Sequence, residues 1–280
     1  MILIIDSGSF KADWIFLTQS STIQIQTQGL NPYFIDTAST KKELKNILEI
    51  QTKKKEIKQI FFYGAGCNSD ENKTIIYKIL KWLFPVAKIK IETDLTGAAK
   101  ALFKKDKGIA CILGTGSNCC FYDGADIVKK TPSLGYILGD EGSGAYMGKM
   151  LVKKYLHNQL GRHLKTQLEK DYQLNQEKIL KAIYQEHFPN RYLANFSEFI
   201  YKYKQEKDIQ DIINQSLHEF FSLNVLKLTE HSRKIGFAGS IAWFFKDNIS
   251  IIAGNYRLQF EKVIQSPVLE LAKIHEKDII

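Results

Sequence analysis

MILIIDSGSFKADW, residues 1–14, is an apolar run broken by a turn. Met1 to Ile5 alternate too little for a half-exposed strand and read as a buried one. Asp6 stops the run; Ser7, Gly8 and Ser9 follow, then Phe10, Lys11 and a second β-rich run from Trp14. Such a stretch can be a plain hairpin turn. It can equally serve an anion: Gly8 can take a positive φ and let backbone N–H groups approach a phosphate, and Lys11 adds charge. Asp6 cannot bind phosphate directly, because like charges repel. It can hold Mg²⁺, often through water, and the metal then bridges to phosphate.

The elements that follow build outward from this hairpin. DWIFLTQ and STIQIQTQG are short and β-rich with turn residues between them, so three strands come in quick succession. TKKELKNILEIQ has helical spacing at Leu44, Ile47 and Leu48, with Thr40 as the expected N-cap. IKQIFFYGAG is a strand ending in glycines, SDENKTIIYKILKWLF a helix with acids in its first turn, AKIKIETD a strand and LTGAAKALFKK a helix. The order is βββαβαβα. The second half starts the same way: GIACILGTG, then NCCFYDG and ADIVKKT around an Asp123-Gly124 hairpin turn. A helical region from about Gly144 to Phe221 intervenes before the strand KIGFAGS, the strand YRLQFEKVI and the helix PVLELAKIH. We therefore expect an α/β fold of two related lobes. The first is residues 1–107, completed by a C-terminal helix at 266–280. The second is residues 108–265, with a helical insertion at about 144–230. Ligands of such folds sit beyond strand ends, and a cleft between lobes is the expected site.

Composition narrows the function. Of 280 residues 44% are hydrophobic, enough for a real core and against disorder. No apolar run approaches the roughly 20 residues of a membrane helix. The first run lacks a basic leader, so no signal peptide and a cytoplasmic location are expected. The net charge of +9 comes from dispersed lysines (Lys53 to Lys55, Lys104, Lys105, Lys129, Lys130, Lys153, Lys154), which read as solvated surface. No aromatic-basic motif supports nucleic-acid binding. Cys67, Cys111, Cys119 and Cys120 form no CxxC and no metal spacing, and no disulfide is expected.

Further glycine-bearing loops also follow strands. LGTGSN at 113–118 frees its backbone at Gly114 and Gly116 and offers the hydroxyls of Thr115 and Ser117. It lacks the lysine of a P-loop and the helix start of a dinucleotide fingerprint. Two phosphate-type hairpins at equivalent points of two lobes are a stronger signal than either alone. GYILGDEGSGAYMGK, 135–149, sets Asp140 and Glu141 among five glycines. Asp140 or Ser143 can cap the next helix, or the acids can accept hydrogen bonds from sugar hydroxyls. Asp94 ends a strand just before a helix; it reads as an N-cap or as a base for a substrate hydroxyl.

Together GLNP, YGAGC, LGTGSN, LGDEGSG and GFAGSIA, in this chain order, resemble the actin, heat-shock chaperone and sugar kinase superfamily. The resemblance is nearest to its N-acetylglucosamine kinase branch, grouped with the benzoyl-CoA reductase-activating ATPases, and runs nearly end to end. It implies two actin-like (ribonuclease H-like) lobes. It also implies transfer of the γ-phosphoryl of ATP, with Mg²⁺, to the 6-hydroxyl of an N-acetylated amino sugar, N-acetylglucosamine first among them. By resemblance Asp6 holds the metal; Gly8, Ser9 and Lys11 form the first phosphate loop and Gly114, Thr115, Gly116 and Ser117 the second. Gly236, Ala238, Gly239 and Ser240 belong to an adenosine loop, and Asn31, Asn118, Gly135 and Asp140 line the sugar. Asp94 is the catalytic base at the sugar hydroxyl. The resemblance further implies a homodimer through the helical region.

The chain departs from the family in one loop: threonine usually stands where this chain has Phe10, and again where it has Ala12. That leaves two other readings, a catalytically weakened sugar- or nucleotide-binding homologue and a conformational ATPase of the reductase-activator type. The activators hold an iron–sulfur cluster through cysteines shared across a dimer. Cys119 and Cys120, adjacent on a strand, point to opposite faces and do not make a joint ligand pair.

Overall fold

Each run of alternating apolar and small residues found its place in one of two five-stranded sheets of the same topology. The computed structural model describes residues 1–18, 21–49 and 56–278. Lys53 to Lys55 and the end of the first expected helix lie outside the described residues. The chain divides into two compact units: one of Met1–Asp106, Asp123–Ile127 and Ser266–Ile280, the other of Lys107–Tyr122 and Val128–Gln265.

The first unit holds β1 (Ile2–Ser7), β2 (Lys11–Leu17), β3 (Thr22–Gln28), β4 (Gln59–Gly64) and β5 (Lys88–Thr93), in the sheet order β3-β2-β1-β4-β5. Its helices are α1 (Thr37–Glu49), α2 (Asp70–Leu83) and α3 (Asp94–Phe103). The sheet is mixed. β1 pairs antiparallel with β2 and parallel with β4, because a tight turn reverses the chain while the helical crossover does not. Leu3, Ile5, Trp14, Phe16, Phe62 and Ile76 anchor one core. Buried Trp14 keeps its indole N–H satisfied by donating to Thr27 Oγ1 at 2.8 Å.

The second unit repeats the plan with β6 (Gly108–Leu113), β7 (Ser117–Tyr122), β8 (Ile127–Lys130), β9 (Lys234–Ala238) and β10 (Gln259–Ile264), ordered β10-β9-β6-β7-β8. Between β8 and β9 lie α4 (Gly135–Leu138), α5 (Gly144–Leu156), α6 (Arg162–Tyr172), α7 (Gln176–Tyr184), α8 (Pro189–Asn195), α9 (Ser197–Lys202) and α10 (Lys207–Leu223). The expected helical region is therefore several short helices, broken where Gly161, Gln173 and Phe188 leave helical backbone. After β9 come α11 (Ser240–Phe244) and α12 (Lys246–Asn255), in a segment for which the sequence suggested no element. In α10, Ile209, Ile212, Ile213, Leu217, Phe220 and Phe221 form one buried stripe at helical spacing. A last helix, α13 (Val268–His275), packs on α3, β1 and β2 of the first unit, where His275 Nε2 and Tyr63 Oη lie 2.8 Å apart.

Two expected caps move. α1 starts at Thr37, not after Thr40, because Asp36 Oδ2 already accepts from Ser39 N at 2.8 Å. α3 is capped by Thr93, whose hydroxyl accepts from Thr96 N, so Asp94 is the first helical residue and its carboxylate is released from capping. The four cysteines are buried and form no disulfide among the described residues, and Cys111 Sγ lies 3.4 Å from Cys119 Sγ across β6 and β7.

One glycine is fixed by packing. A Cβ on Gly148 of α5 would run into the backbone of Leu193 in α8, whereas one on Gly254 of α12 would meet open space. Alanine in a helix interior ordinarily gains about 1 kcal/mol over glycine. Thermal melts should therefore split in sign: Gly254→Ala stabilises, and Gly148→Ala destabilises despite its better propensity.

Candidate active site

In the first unit three loops meet around the β1–β2 turn. Gly8 N donates to Lys11 O at 3.0 Å and closes the turn. Ser7 Oγ accepts from Leu30 N at 2.8 Å, and Gly29 N donates to Phe10 O at 2.8 Å, so the GLNP turn lies directly against it. Gly29 has to be glycine, since a Cβ would collide with the backbone of Gly8 to Phe10. Gly8 itself is exposed and not at positive φ, and a Cβ would meet only Lys11 O at 3.7 Å. The turn does not need its glycine for its own geometry, contrary to one part of the sequence argument. What glycine leaves there is an open approach to backbone. Asn31 is buried at this junction, donating from Nδ2 to Ser9 Oγ at 2.8 Å.

Three carboxylates lie in this unit, Asp13 buried and Asp6 and Asp94 partly buried. Asp6 on β1 is the register partner of Asp13 on β2, so the two side chains stand on one face. Burial, then the charges of Asp13 and Asp94, push the Asp6 carboxyl up to about 7, against smaller lowering by Ser266 and Lys11. Asp13 is held by Gln26 Nε2 at 2.7 Å, and Lys11 Nζ lies 3.4 Å from Oδ2. Ser266 Oγ lies 3.2 Å from Asp13 Oδ2 and 3.4 Å from Asp6 Oδ2. Asp94 heads α3, and burial raises it to about 6, against hydrogen bonds from the backbone N–H groups of Leu95 and its own residue. Cys67 of the YGAGC loop is pushed up to about 12 by burial and by the Asp94 charge, so it stays a thiol.

This donor set can be tested against a cation. Asp6 carries a charge that its surroundings disfavour, which a divalent cation would relieve. Among the described residues no group of three or more His, Cys, Asp or Glu side chains could hold a metal ion. Asp6 is the residue here that would meet such a cation, as a single carboxylate contact.

In the second unit the Gly114–Ser117 loop joins β6 to β7. Gly144 N and Ala145 N, at the start of α5, donate to Gly114 O and Thr115 O at 2.9 and 3.1 Å. Asp140 sits at φ 61 and accepts from Ser117 N at 3.2 Å; its carboxyl is raised, chiefly by burial. A Cβ on Gly116 would press on that carboxylate, while Gly114 has open space. Ser143, not Asp140, caps α5, accepting from Tyr146 N. Gly239, at φ 115, has its Cβ position blocked by Leu113 O, so the β9 turn lies against the end of β6. Gly236 and Ala238 are buried within β9 itself, and of the GFAGS motif only Gly239 and Ser240 leave the strand. Asn118 Oδ1 accepts from Cys119 N on β7, and Gly135, at φ 71, opens α4 with open space at its Cβ position.

The unit structure thus gathers Asp6, Gly8, Ser9, Lys11, Asn31 and Asp94 in the first body, and Gly114 to Ser117, Asp140, Gly239 and Ser240 in the second. Asp13 and Ser266 were missed. Asp13 was legible, since a tight turn between Asp6 and Asp13 puts both on one face; Ser266, at the far end of the chain, carried no signal. A cavity of about 220 Å³ beside the GLNP turn, lined by Gln28, Phe34, Asp36, Ser39 and Glu43 among others, includes none of the expected site residues. No helix among the described residues is long and apolar enough to cross a membrane.

Two sheets with this repeated topology, each with a glycine turn between its central strand and the next, make an actin-like α/β fold of two lobes. A solved structure from Porphyromonas gingivalis, described as a candidate N-acetylglucosamine kinase, is 35% identical over 100% of both chains with a TM-score of 0.93. The chain belongs to that N-acetylglucosamine kinase-like family. A curated relative, the N-acetylmuramic acid/N-acetylglucosamine kinase of Clostridium acetobutylicum, is 32% identical over 143 residues, 48% of this chain and 47% of the relative. The chain thus matches about half the length of that relative. The structure of a glucokinase from Streptomyces griseus with glucose and AMPPNP shares the fold, at 12% identity, 98% and 99% coverage and a TM-score of 0.55. No family model matches the chain.

The raised carboxyls make a stability prediction. Asp6 at about 7 and Asp94 at about 6 keep protons in the folded chain that an ordinary aspartate, at 3.8, has lost. The folded state then binds more protons than the unfolded between about pH 4 and 7, and stability falls as pH rises through that window. Asp6→Asn should raise the melting temperature at pH 8, with the gain shrinking toward pH 4. An unchanged melting temperature at pH 8 would contradict the burial of that charge.

Proposed function

We propose that this protein is an ATP-dependent kinase that moves the γ-phosphoryl group to the 6-hydroxyl of an N-acetylated amino sugar, with N-acetylglucosamine as the leading substrate. The observation that carries this reading is the 35% identity to the Porphyromonas gingivalis protein over the whole of both chains. The chemistry of the residues supports it. Phosphoryl transfer needs positioning and charge stabilisation more than covalent chemistry. Gly8, Ser9 and Lys11 offer backbone, hydroxyl and cation to phosphate oxygens. Gly114 to Ser117 offer a second set, and Gly239 with Ser240 flank the nucleoside. Bound with ATP, Mg²⁺ supplies positive charge at the phosphate oxygens, and Asp6 is the residue that would hold it.

Asp94 takes the proton of the acceptor hydroxyl. Its carboxyl, raised to about 6, is ionised at neutral pH and more basic than an ordinary aspartate, which suits a general base. Asn118, Gly135, Asp140 and Asn31 are assigned to the sugar side. The same reading takes the protein to be a homodimer through its helical region, where Tyr184 and Tyr201 are exposed aromatics. Sedimentation velocity tests that part separately.

ADP release from Mg-ATP, with and without N-acetylglucosamine, N-acetylmuramic acid and glucosamine, tests the activity. Sugar-dependent release should appear and fall by about 10²- to 10⁴-fold in Asp94→Asn. At saturating Mg-ATP, kcat/KM for the sugar should rise with pH up to about 6 and then level, as Asp94 ionises. Hydrolysis that ignores every sugar would instead favour a conformational ATPase.

Phe10 is the second target. Its backbone carbonyl accepts from Gly29 N, a bond that a threonine there would keep, and a thermal melt checks that the variant folds. A hydrogen bond to a charged phosphate adds roughly ten- to a hundredfold, and Phe10→Thr should raise kcat/KM in that range. A silent parent awakened by this change would mark a nucleotide-binding homologue whose transfer step has decayed.

A further inference from the structure

α4 begins at Gly135 and leads into Asp140, two positions assigned to the sugar, yet it is one turn of helix with little burial. Leu134, Ile137 and Leu138 are all more than half exposed. Gly139 N closes the turn on Gly135 O at 2.8 Å, and Tyr136 packs partly against the second core. A side chain of α5 ties this turn to the frame: Lys149 Nζ donates to Tyr136 O at 3.1 Å. Lys149 is half-buried, and its ammonium lies 4.6 Å from the centre of the Tyr146 ring. The Tyr146 hydroxyl donates to Glu219 of α10, whose carboxylate also accepts from Gln215 Nε2 at 2.8 Å. The ring beneath the ammonium is thus itself pinned. The same ammonium is felt at Asp140: burial raises that carboxyl and Glu141 adds to the rise, while the Lys149 charge opposes it.

We propose that Lys149 is a positioning residue for the sugar, holding α4 through Tyr136 O and so fixing Gly135 and Asp140 where the sugar binds. This rests on the kinase reading above. α5 starts with Gly144 N and Ala145 N bonded to Gly114 O and Thr115 O, so Lys149 links the sugar-side turn to the helix that braces the second phosphate turn. Lysine suits the task. Its ammonium has three donors on a flexible stem, so one N–H serves the Tyr136 carbonyl while the charge faces the Tyr146 ring and the Asp140 carboxylate. Methionine in its place keeps the apolar stem and supplies neither donor nor charge.

The test compares the parent with Lys149→Met and Lys149→Arg, each checked for a native melt. In steady-state turnover with N-acetylglucosamine, Lys149→Met should raise KM for the sugar roughly tenfold, the value of one hydrogen bond to a charged group. KM for Mg-ATP should stay within about twofold of the parent. Lys149→Arg, which keeps a donor and a charge, should restore most of the sugar KM. Limited chymotrypsin digestion reads the turn without turnover: cleavage after Tyr136 or Leu138 should be several-fold faster in Lys149→Met than in the parent or in Lys149→Arg. A Lys149 that served only stability would lower the melting temperature without separating the two KM values. Unchanged cleavage in Lys149→Met, a sugar KM within about twofold of the parent, or equal rises in both KM values overturns the proposal and leaves the kinase reading standing. A parent without sugar-dependent turnover overturns both.

Discussion

Two aspartates on adjacent strands, paired in register and turned to the same face, set the terms for the first unit. Asp6 and Asp13 occupy opposite positions of the β1–β2 ladder, and like charges opposite one another destabilise a sheet. Asp13 is compensated by Gln26, Lys11 and Ser266. Asp6 has less: a long hydrogen bond from Ser266 and the distant Lys11, against burial and two other carboxylates. A fold optimised only for stability would have replaced it. Keeping it makes sense if the missing positive charge arrives with a ligand, and a nucleotide-bound divalent cation is the ligand whose charge fits.

The surrounding structure holds that hairpin in place. β1 and β6 are the central strands of their sheets, each followed by a glycine turn and an antiparallel neighbour, each flanked on the other side by parallel strands. The turns therefore leave from the most constrained strand of each unit. In the first, the GLNP and YGAGC turns close on it through Gly29, Asn31 and Gly66. In the second, the start of α5 donates its unsatisfied backbone N–H groups to the Gly114 loop, and Gly239 brings the β9 turn against Leu113. Glycines required by packing or backbone, such as Gly29, Gly239 and Gly135 at φ 71, differ from glycines with open space, such as Gly8 and Gly114.

The two-lobed α/β class and the order of elements were legible because strand periodicity, glycine punctuation and helix spacing agreed over most of the chain. α11 and α12 were less so: SIAWFFKDNISIIAGN mixes aromatic and β-branched residues with polar ones and has no clean apolar stripe. Caps shifted by four residues at α1 and by one at α3 because Asp36 and Thr93 each competed with a plausible neighbour. At the site, Asp6, Asp94 and the glycine turns could be found from strand ends alone. Asp13 required the hairpin register, and Ser266 required tertiary structure. The Asn31–Ser9 bond was hidden for the same reason, although both residues had been singled out for other roles.

The central claim is that Asp6 is kept ionisable in an unfavourable place to meet a nucleotide-bound cation. Its most direct test is ADP affinity by calorimetry in the parent and in Asp6→Asn, each with Mg²⁺ and with EDTA. The account predicts that Mg²⁺ tightens ADP binding in the parent and loses most of that effect in Asp6→Asn. An equal Mg²⁺ effect in both proteins would contradict it, and would leave the buried charge of Asp6 without a function.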